Sequence, residues 1–276
     1  DEKYRGPITM REALAQSVNI PSVKTLYLAG QQDTFALASL MGLSTLTNAN
    51  QYGLTLVLGG GEVKLLELTG AYAVFANKGE KNEVHSVRQI FNPSNELLKE
   101  PRPNTERVLP EAVALQISDV LSDDEARAPA FGVHSYLYVP GFSVAAKTGT
   151  TNDYKDAWIV GYSPTLAVGA WAGNNDATPM EKKVAGFIIS PLWNEFMREA
   201  LPLVPREAFP PPPVESTEGL PPVLKGEWRG GKAFTVDRMS GKLATEYTPA
   251  ETREERVVRE VHDILYWIDK DAPRNG

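Results

Sequence analysis

The sequence predicts an α+β fold: an antiparallel sheet flanked by helices, with a helical subdomain and a small C-terminal appendage. Three observations carry this. Apolar residues recur at helical spacing through much of the first 121 residues and again over 185–201. Three closely spaced apolar, β-branched runs, 142–148, 157–162 and 166–173, read as strands, the last two joined across Ser163-Pro164-Thr165. Helices, then strands, then a helix suggest an α+β domain with an antiparallel sheet.

In chain order, Thr9 to Gln16 reads as a short helix with a Thr-x-x-Glu capping pattern, stopping at Ser17-Val18-Asn19. Asn19 is placed to cap a second helix running to Ala29, with Pro21 in its first turn and Gly30 at its end. Asp33 to Met41 and Glu62 to Asn77 read as further helices, the latter with Val63, Leu66, Gly70, Ala73 and Asn77 on one face. Val84 to Phe91 and Glu96 to Leu98 read as a hairpin around Asn92-Pro93-Ser94-Asn95, and Glu111 to Leu121 as a helix. Ser122 to Pro140 is loop-like. Prolines at 202, 205 and 210–213 mark a stiff linker, which divides a domain over 1–201 from an extension over 214–276. There, 234–236 and 243–245 are expected to pair; 257–268 fits both periods.

Composition narrows the function. A net charge of −7, with no basic run, argues against nucleic acid as a partner. With no cysteine, thiol catalysis, disulfides and thiolate metal sites are excluded. His85, His134 and His262 are scattered without ligand spacing, so no metal or other cofactor is expected. Asp153 and Asp156 read as a polar turn, and Gly59-Gly60-Gly61 as a helix entry without the lysine and serine of a phosphate loop. Trp158, Trp171 and Trp193 are expected over the sheet.

The stretch that organises the chain is Lys147-Thr148-Gly149-Thr150, after the apolar run Val144-Ala145-Ala146. A cation at a strand end, hydroxyl donors behind it and a glycine that lets a ligand approach the backbone suit capture of a peptide carboxylate. Far upstream, Ser17-Val18-Asn19 sits at a break between two helices. These two motifs resemble the second and third motifs of the penicillin-recognising serine enzymes. The flanks extend the likeness. Arg11 to Lys24, Leu58 to Val63, Ala71 to Gly79 and Lys147 to Trp158 are similar to class A, bifunctional penicillin-binding proteins across residues 7–201, and more weakly over Met239 to Thr245.

The resemblance implies a peptidoglycan D,D-transpeptidase. A serine would attack a D-Ala-D-Ala stem peptide to form an acyl-enzyme, an amine from a second stem would resolve it, and β-lactams would acylate the same serine. It further implies that Ser17 relays a proton, Asn19 binds the substrate backbone, Lys147 provides positive potential, and Thr148, Gly149 and Thr150 bind the substrate, the two threonines donating to its carboxylate and the glycine leaving it room. It implies an extracytoplasmic location at a bacterial membrane, with the anchor elsewhere. One departure stands out: the family's first motif is Ser-x-x-Lys, and no serine here has a lysine three residues on. With 16 residues before Ser17, the expectation is a chain that starts after the nucleophile and is inactive alone. A related carboxypeptidase or β-lactamase, and a non-catalytic module that binds peptidoglycan or a partner protein, stand as alternatives.

Overall fold

The computed structural model describes residues 6–48, 51–100, 104–180, 182–227, 233–257 and 264–271. The chain forms two compact units, Met10–Val214 and, separately, Asp1–Thr9 with Glu215–Gly276.

The larger unit opens with helices α1 (Met10–Ala15), α2 (Asn19–Ala29) and α3 (Gln31–Leu40), then a 3-10 turn over Gly53–Leu58 and α4 (Leu65–Ala76). Strands β1 (Glu80–Asn82) and β4 (Thr105–Arg107) pair around a smaller hairpin, β2 (Ile90–Phe91) with β3 (Leu97–Lys99). The expected turn at Asn92 is present, because Asn92 Oδ1 accepts from the Glu96 amide at 2.8 Å, but its strands are short. Helix α5 (Glu111–Ser122) follows, then α6 (Asp124–Phe131). The segment read as a loop after Ser122 is thus partly helical. Asp123 caps α6 by accepting from Ala126 N at 2.8 Å, and the buried Arg127 donates to the last carbonyls of α5, Leu121 O and Ser122 O. Pro129 lies inside this helix and masks it in the sequence.

Strands β5 (Ala145–Thr150), β6 (Asp156–Tyr162) and β7 (Ala167–Gly173) form one antiparallel sheet in that order. Its first strand starts three residues later than expected, because Phe142 is still turning, its amide bonded to Val139 O at 3.2 Å. Alternation along the strands builds two faces. Ala146, Ala157 and Ile159 pack under α7 (Ala185–Ile188) and α8 (Ser190–Ala200), with Trp193 and Met197 at the centre. The expected single helix over 185–201 is therefore two pieces, with Pro191 in the first turn of the second. Ala145 and Tyr162 face α1, α4 and α5, packing with Leu121, Leu14, Tyr72 and Phe75.

Helix α4 uses a different face from the one expected. Ala71 and Val74 are buried while Leu66 stays 65 % exposed. Two glycines let the helices close on the sheet: a Cβ on Gly161 would lie 2.3 Å from the Trp193 ring, and one on Gly169 would lie 2.1 Å from Thr69 Oγ1. Past α8, the proline-rich segment packs on the larger unit. Phe209 meets Tyr162 edge to face at 5.6 Å, Arg206 lies over the Phe142 ring, and Pro205 O accepts from Thr165.

Gly79 ends α4 at φ +92°, where a Cβ would strike Leu109 O at 2.3 Å. Gly79→Ala is expected to cost more than about 1 kcal/mol from backbone conformation alone, read as a lowered urea midpoint.

In the smaller unit, β8 (Ala233–Asp237) pairs in full register with β9 (Arg253–Val257). The expected pairing with 243–245 survives only as a bridge between Val236 and Leu243 and a tight turn closed on Asp237. Of the ambiguous stretch 257–268, residues 258–263 lie outside the described residues, and α9 (Ile264–Trp267) forms part of the rest.

Candidate functional site

Ser17 ends α1 in a left-handed conformation, φ +60°. The hydrogen bonds Val18 N to Ala13 O (2.9 Å) and Ser17 N to Leu14 O (3.2 Å) form the paired closure that helices normally complete with glycine. A serine there is strained, and its side chain stays exposed while reaching toward the sheet. The chain restarts at once as α2, capped by Val18 with no side-chain bond. Asn19 is therefore the first residue of α2 rather than its cap. The closure of α1 already fixes Val18, which leaves Asn19 exposed beside Ser17 with its amide uncommitted to capping.

Lys147 comes from β5. Alternation puts it on the face of Ala145, toward α1, and across from Val160. Its ammonium donates to Ser17 Oγ at 2.6 Å and to Thr148 O at 2.8 Å, with no carboxylate among its partners in the described residues. Two motifs 130 residues apart thus meet in one hydrogen bond. Burial lowers the Lys147 pKa from the usual 10.5 to about 8. Between those values the unfolded chain holds more protons than the folded one. Stability is therefore expected to rise with pH from about 8 to 10.5, and Lys147→Met is expected to remove that part of the slope, as chemical melts across the window would read.

Thr148 and Thr150 alternate onto the opposite face, toward α7 and α8. Thr150 Oγ1 accepts from Ala185 N at 2.9 Å, so its own proton remains to donate. Gly149 is exposed, and a Cβ there would make only an ordinary contact with Trp158, at 3.5 Å. The protein itself therefore tolerates a methyl at this position, and the glycine leaves space outside it. β5 is an edge strand of the three-stranded sheet, so one flank of Lys147–Thr150 carries no strand partner among the described residues. Two clefts, of about 400 and 350 Å³, lie elsewhere, lined in part by Phe35 and Leu46 and by Leu66 and Lys81. Neither contains a site residue.

The other sequence candidates separate from this edge. Asp156 accepts from Trp171 Nε1 and Thr151 Oγ1, both at 2.9 Å, which makes it part of a turn. No metal-binding cluster occurs among the described residues. Trp193 is fully buried, whereas Trp171 is 37 % exposed on the other face of the sheet. The carbonyls of Tyr136 and Tyr138 accept from Asn194 Nδ2, which ties the loop before β5 to α8. The strain at Ser17 and the polar contacts behind it, Arg11 with Asp119 and Asp123 and Gln16 with Ala126 O, are not visible in the sequence. A non-glycine residue at a helix end just before a second helix was the only signal.

Ser17→Gly is expected to stabilise the fold by about 0.5–1 kcal/mol by relieving the left-handed strain, and Ser17→Ala is not; both lose the bond to Lys147. Thermal melts of the two variants separate strain from hydroxyl.

These features define an α+β protein with a serine–lysine contact at the edge of an antiparallel sheet. The family described as the penicillin binding protein transpeptidase domain matches residues 1–194, and the chain belongs to that family. It is similar to penicillin-binding protein 1A of Aquifex aeolicus, at 34 % identity over 80 % of this chain and 30 % of the relative. Penicillin-binding protein 1A/1B of Bacillus subtilis matches at 34 % identity over 70 % of this chain and 23 % of the relative. The chain thus spans less than a third of these relatives. Among solved structures, PonA1 of Mycobacterium tuberculosis in complex with penicillin V superposes with a TM-score of 0.64 at 25 % identity, covering 77 % of this chain and 61 % of that one. Penicillin-binding protein 1A of Haemophilus influenzae shares the fold, with a TM-score of 0.62 at 18 % identity over 94 % of this chain and 42 % of that one.

Proposed function

We propose that this chain carries the second- and third-motif side of a peptidoglycan D,D-transpeptidase site, working at the extracytoplasmic face of a bacterial membrane. No helix among the described residues is long and apolar enough to cross a membrane, so the proposal places any anchor outside them. The observation that carries the reading is the 2.6 Å contact between Lys147 Nζ and Ser17 Oγ.

In this reading a stem peptide ending in D-Ala-D-Ala lies along the open edge of β5. Its carboxylate sits at the exposed strand edge, where it accepts from the hydroxyls of Thr148 and Thr150 and feels the Lys147 charge from the other face of the strand, with Gly149 leaving it room. Asn19 hydrogen-bonds its backbone, and the Thr150 amide supplies one oxyanion donor. As the acylating serine forms its ester and the bond between the two D-alanines breaks, Ser17 passes a proton to the departing D-alanine amine and recovers one from Lys147, whose lowered pKa eases the exchange; the proton that the acylating serine gives up to the lysine of its own motif then returns through Ser17 to restore the Lys147 charge. An amine from a second stem then takes the acyl group. β-Lactams enter by the same route, in keeping with the penicillin V complex of PonA1.

The acylating serine is not assigned within this chain, because no serine has a lysine three residues on. That same fact favours one second reading, a module that binds stem peptides without catalysis. Fluorescent penicillin read on a denaturing gel tests both. The chain as it stands is expected to stay unlabelled, and a longer form that includes a Ser-x-x-Lys segment is expected to label. A longer form that never labels supports the binding module. Label on Ser17 of the present chain would contradict the relay role.

A further inference from the structure

The left-handed serine raises the question of what holds it there. A strained residue persists only where its surroundings over-determine it. Helix α1 has six residues, too few to be stable alone, so the restraint must be tertiary. Beside the packing of Leu14 against the sheet, polar contacts reach it from the elbow between α5 and α6. Arg11, in the first turn of α1, forks onto two carboxylates: Nη1 donates to Asp123 Oδ2 at 2.9 Å and Nη2 to Asp119 Oδ2. Gln16, the residue before Ser17, donates Nε2–H to Ala126 O at 2.9 Å. Asp123 uses its other oxygen to cap α6, which fixes the turn that presents Ala126 O. The elbow itself is locked from inside by Arg127, 3 % exposed, through Leu121 O and Ser122 O. Both ends of α1 are thus tied to one rigid corner, and Ser17 projects from it toward Lys147.

We infer that Arg11 and Gln16 are positioning residues that hold the Ser17 hydroxyl against Lys147 through the α5–α6 elbow. Neither touches substrate in the proposed reaction. The inference rests on the relay role given to Ser17, but its geometry is testable without turnover. Substitution of Gln16 by methionine keeps the length of the side chain and removes the donor. Arg11→Met removes the fork, and Arg11→Lys keeps the charge while losing the two-carboxylate grip.

The test is an NMR titration of Lys147, followed by its 13Cε and 15Nζ shifts in the lysine-labelled chain as it stands, with Lys147→Arg to assign the signal. In the wild type, Ser17→Ala removes an acceptor from the ammonium and is expected to shift the midpoint by about one pH unit. In Gln16→Met, and in Arg11→Met, the same Ser17→Ala step is expected to lose most of that effect, because the hydroxyl is already displaced. Arg11→Lys is expected to retain part of it. A Ser17→Ala step of full size in the Gln16→Met and Arg11→Met backgrounds would overturn the inference, even if both variants melt early, since lost stability alone leaves the contact intact. No change on Ser17→Ala in the wild type would overturn it as well. A failure of the transpeptidase reading shows separately, in the penicillin labelling.

Discussion

Lys147→Met is expected to lower the rate of acylation by penicillin about 10²–10⁴-fold in a form of the protein that carries a Ser-x-x-Lys segment, the range set by loss of one general acid–base group. The residue serves the proposed reaction twice, as the charge that meets the carboxylate and as the proton source behind Ser17. Both uses rely on its being partly buried without a carboxylate partner among the described residues. The same features make the residue unfavourable for folding, since burial disfavours its charged form. The variant is therefore expected to melt no lower than wild type near neutral pH, so that lost acylation is separated from lost structure. Stopped-flow acylation and a thermal melt on the same preparation check both halves. A folded Lys147→Met that acylates at the wild-type rate would remove Lys147 from the mechanism.

Trp193→Ala is expected to produce the largest loss of stability, about 3–5 kcal/mol. Trp193 is fully buried, its ring fills the notch left by Gly161, and its Nε1–H donates to Val168 O at 3.0 Å. Alanine would leave a cavity and remove the donor to Val168 O. Against a typical domain stability of about 5–15 kcal/mol, that loss is a large share of the whole. The site would feel it too, because α8 continues from α7, whose Ala185 N holds Thr150 Oγ1 at 2.9 Å. Urea melts give the stability, and Trp193→Phe, which keeps most of the volume but not the donor, is expected to fall between. A loss under about 1 kcal/mol would mean that the core re-closes over the gap.

The candidate site residues stand out in the sequence because the proposed chemistry confines them to short motifs, Ser17-Val18-Asn19 and Lys147-Thr148-Gly149-Thr150. Their contact was not readable from composition or periodicity; it depends on strand alternation turning Lys147 toward α1 and on a left-handed residue turning Ser17 toward the sheet. The sequence misassigned Asn19 because asparagine is a good cap, while the closure of α1 had already given that place to Val18. Helix α6 was hidden by Pro129 and Gly132, which read as breakers, and it is held instead by the Asp123 cap and the buried Arg127. The expected partner of β8 was the nearest apolar run, Leu243-Ala244-Thr245. The ladder goes to Arg253–Val257, a strand whose charged residues conceal it.

In the proposed reaction Ser17 is the relay that hands a proton from Lys147 to the departing amine. The direct test compares two acyl donors on Ser17→Ala in an acylation-competent form: a D-Ala-D-Ala amide, whose leaving amine must be protonated, and the matching thioester, whose thiolate leaves without a proton. The expected result is a fall of about 10²-fold or more for the amide with the thioester rate largely kept. Equal losses on both donors, or none on either, would contradict it.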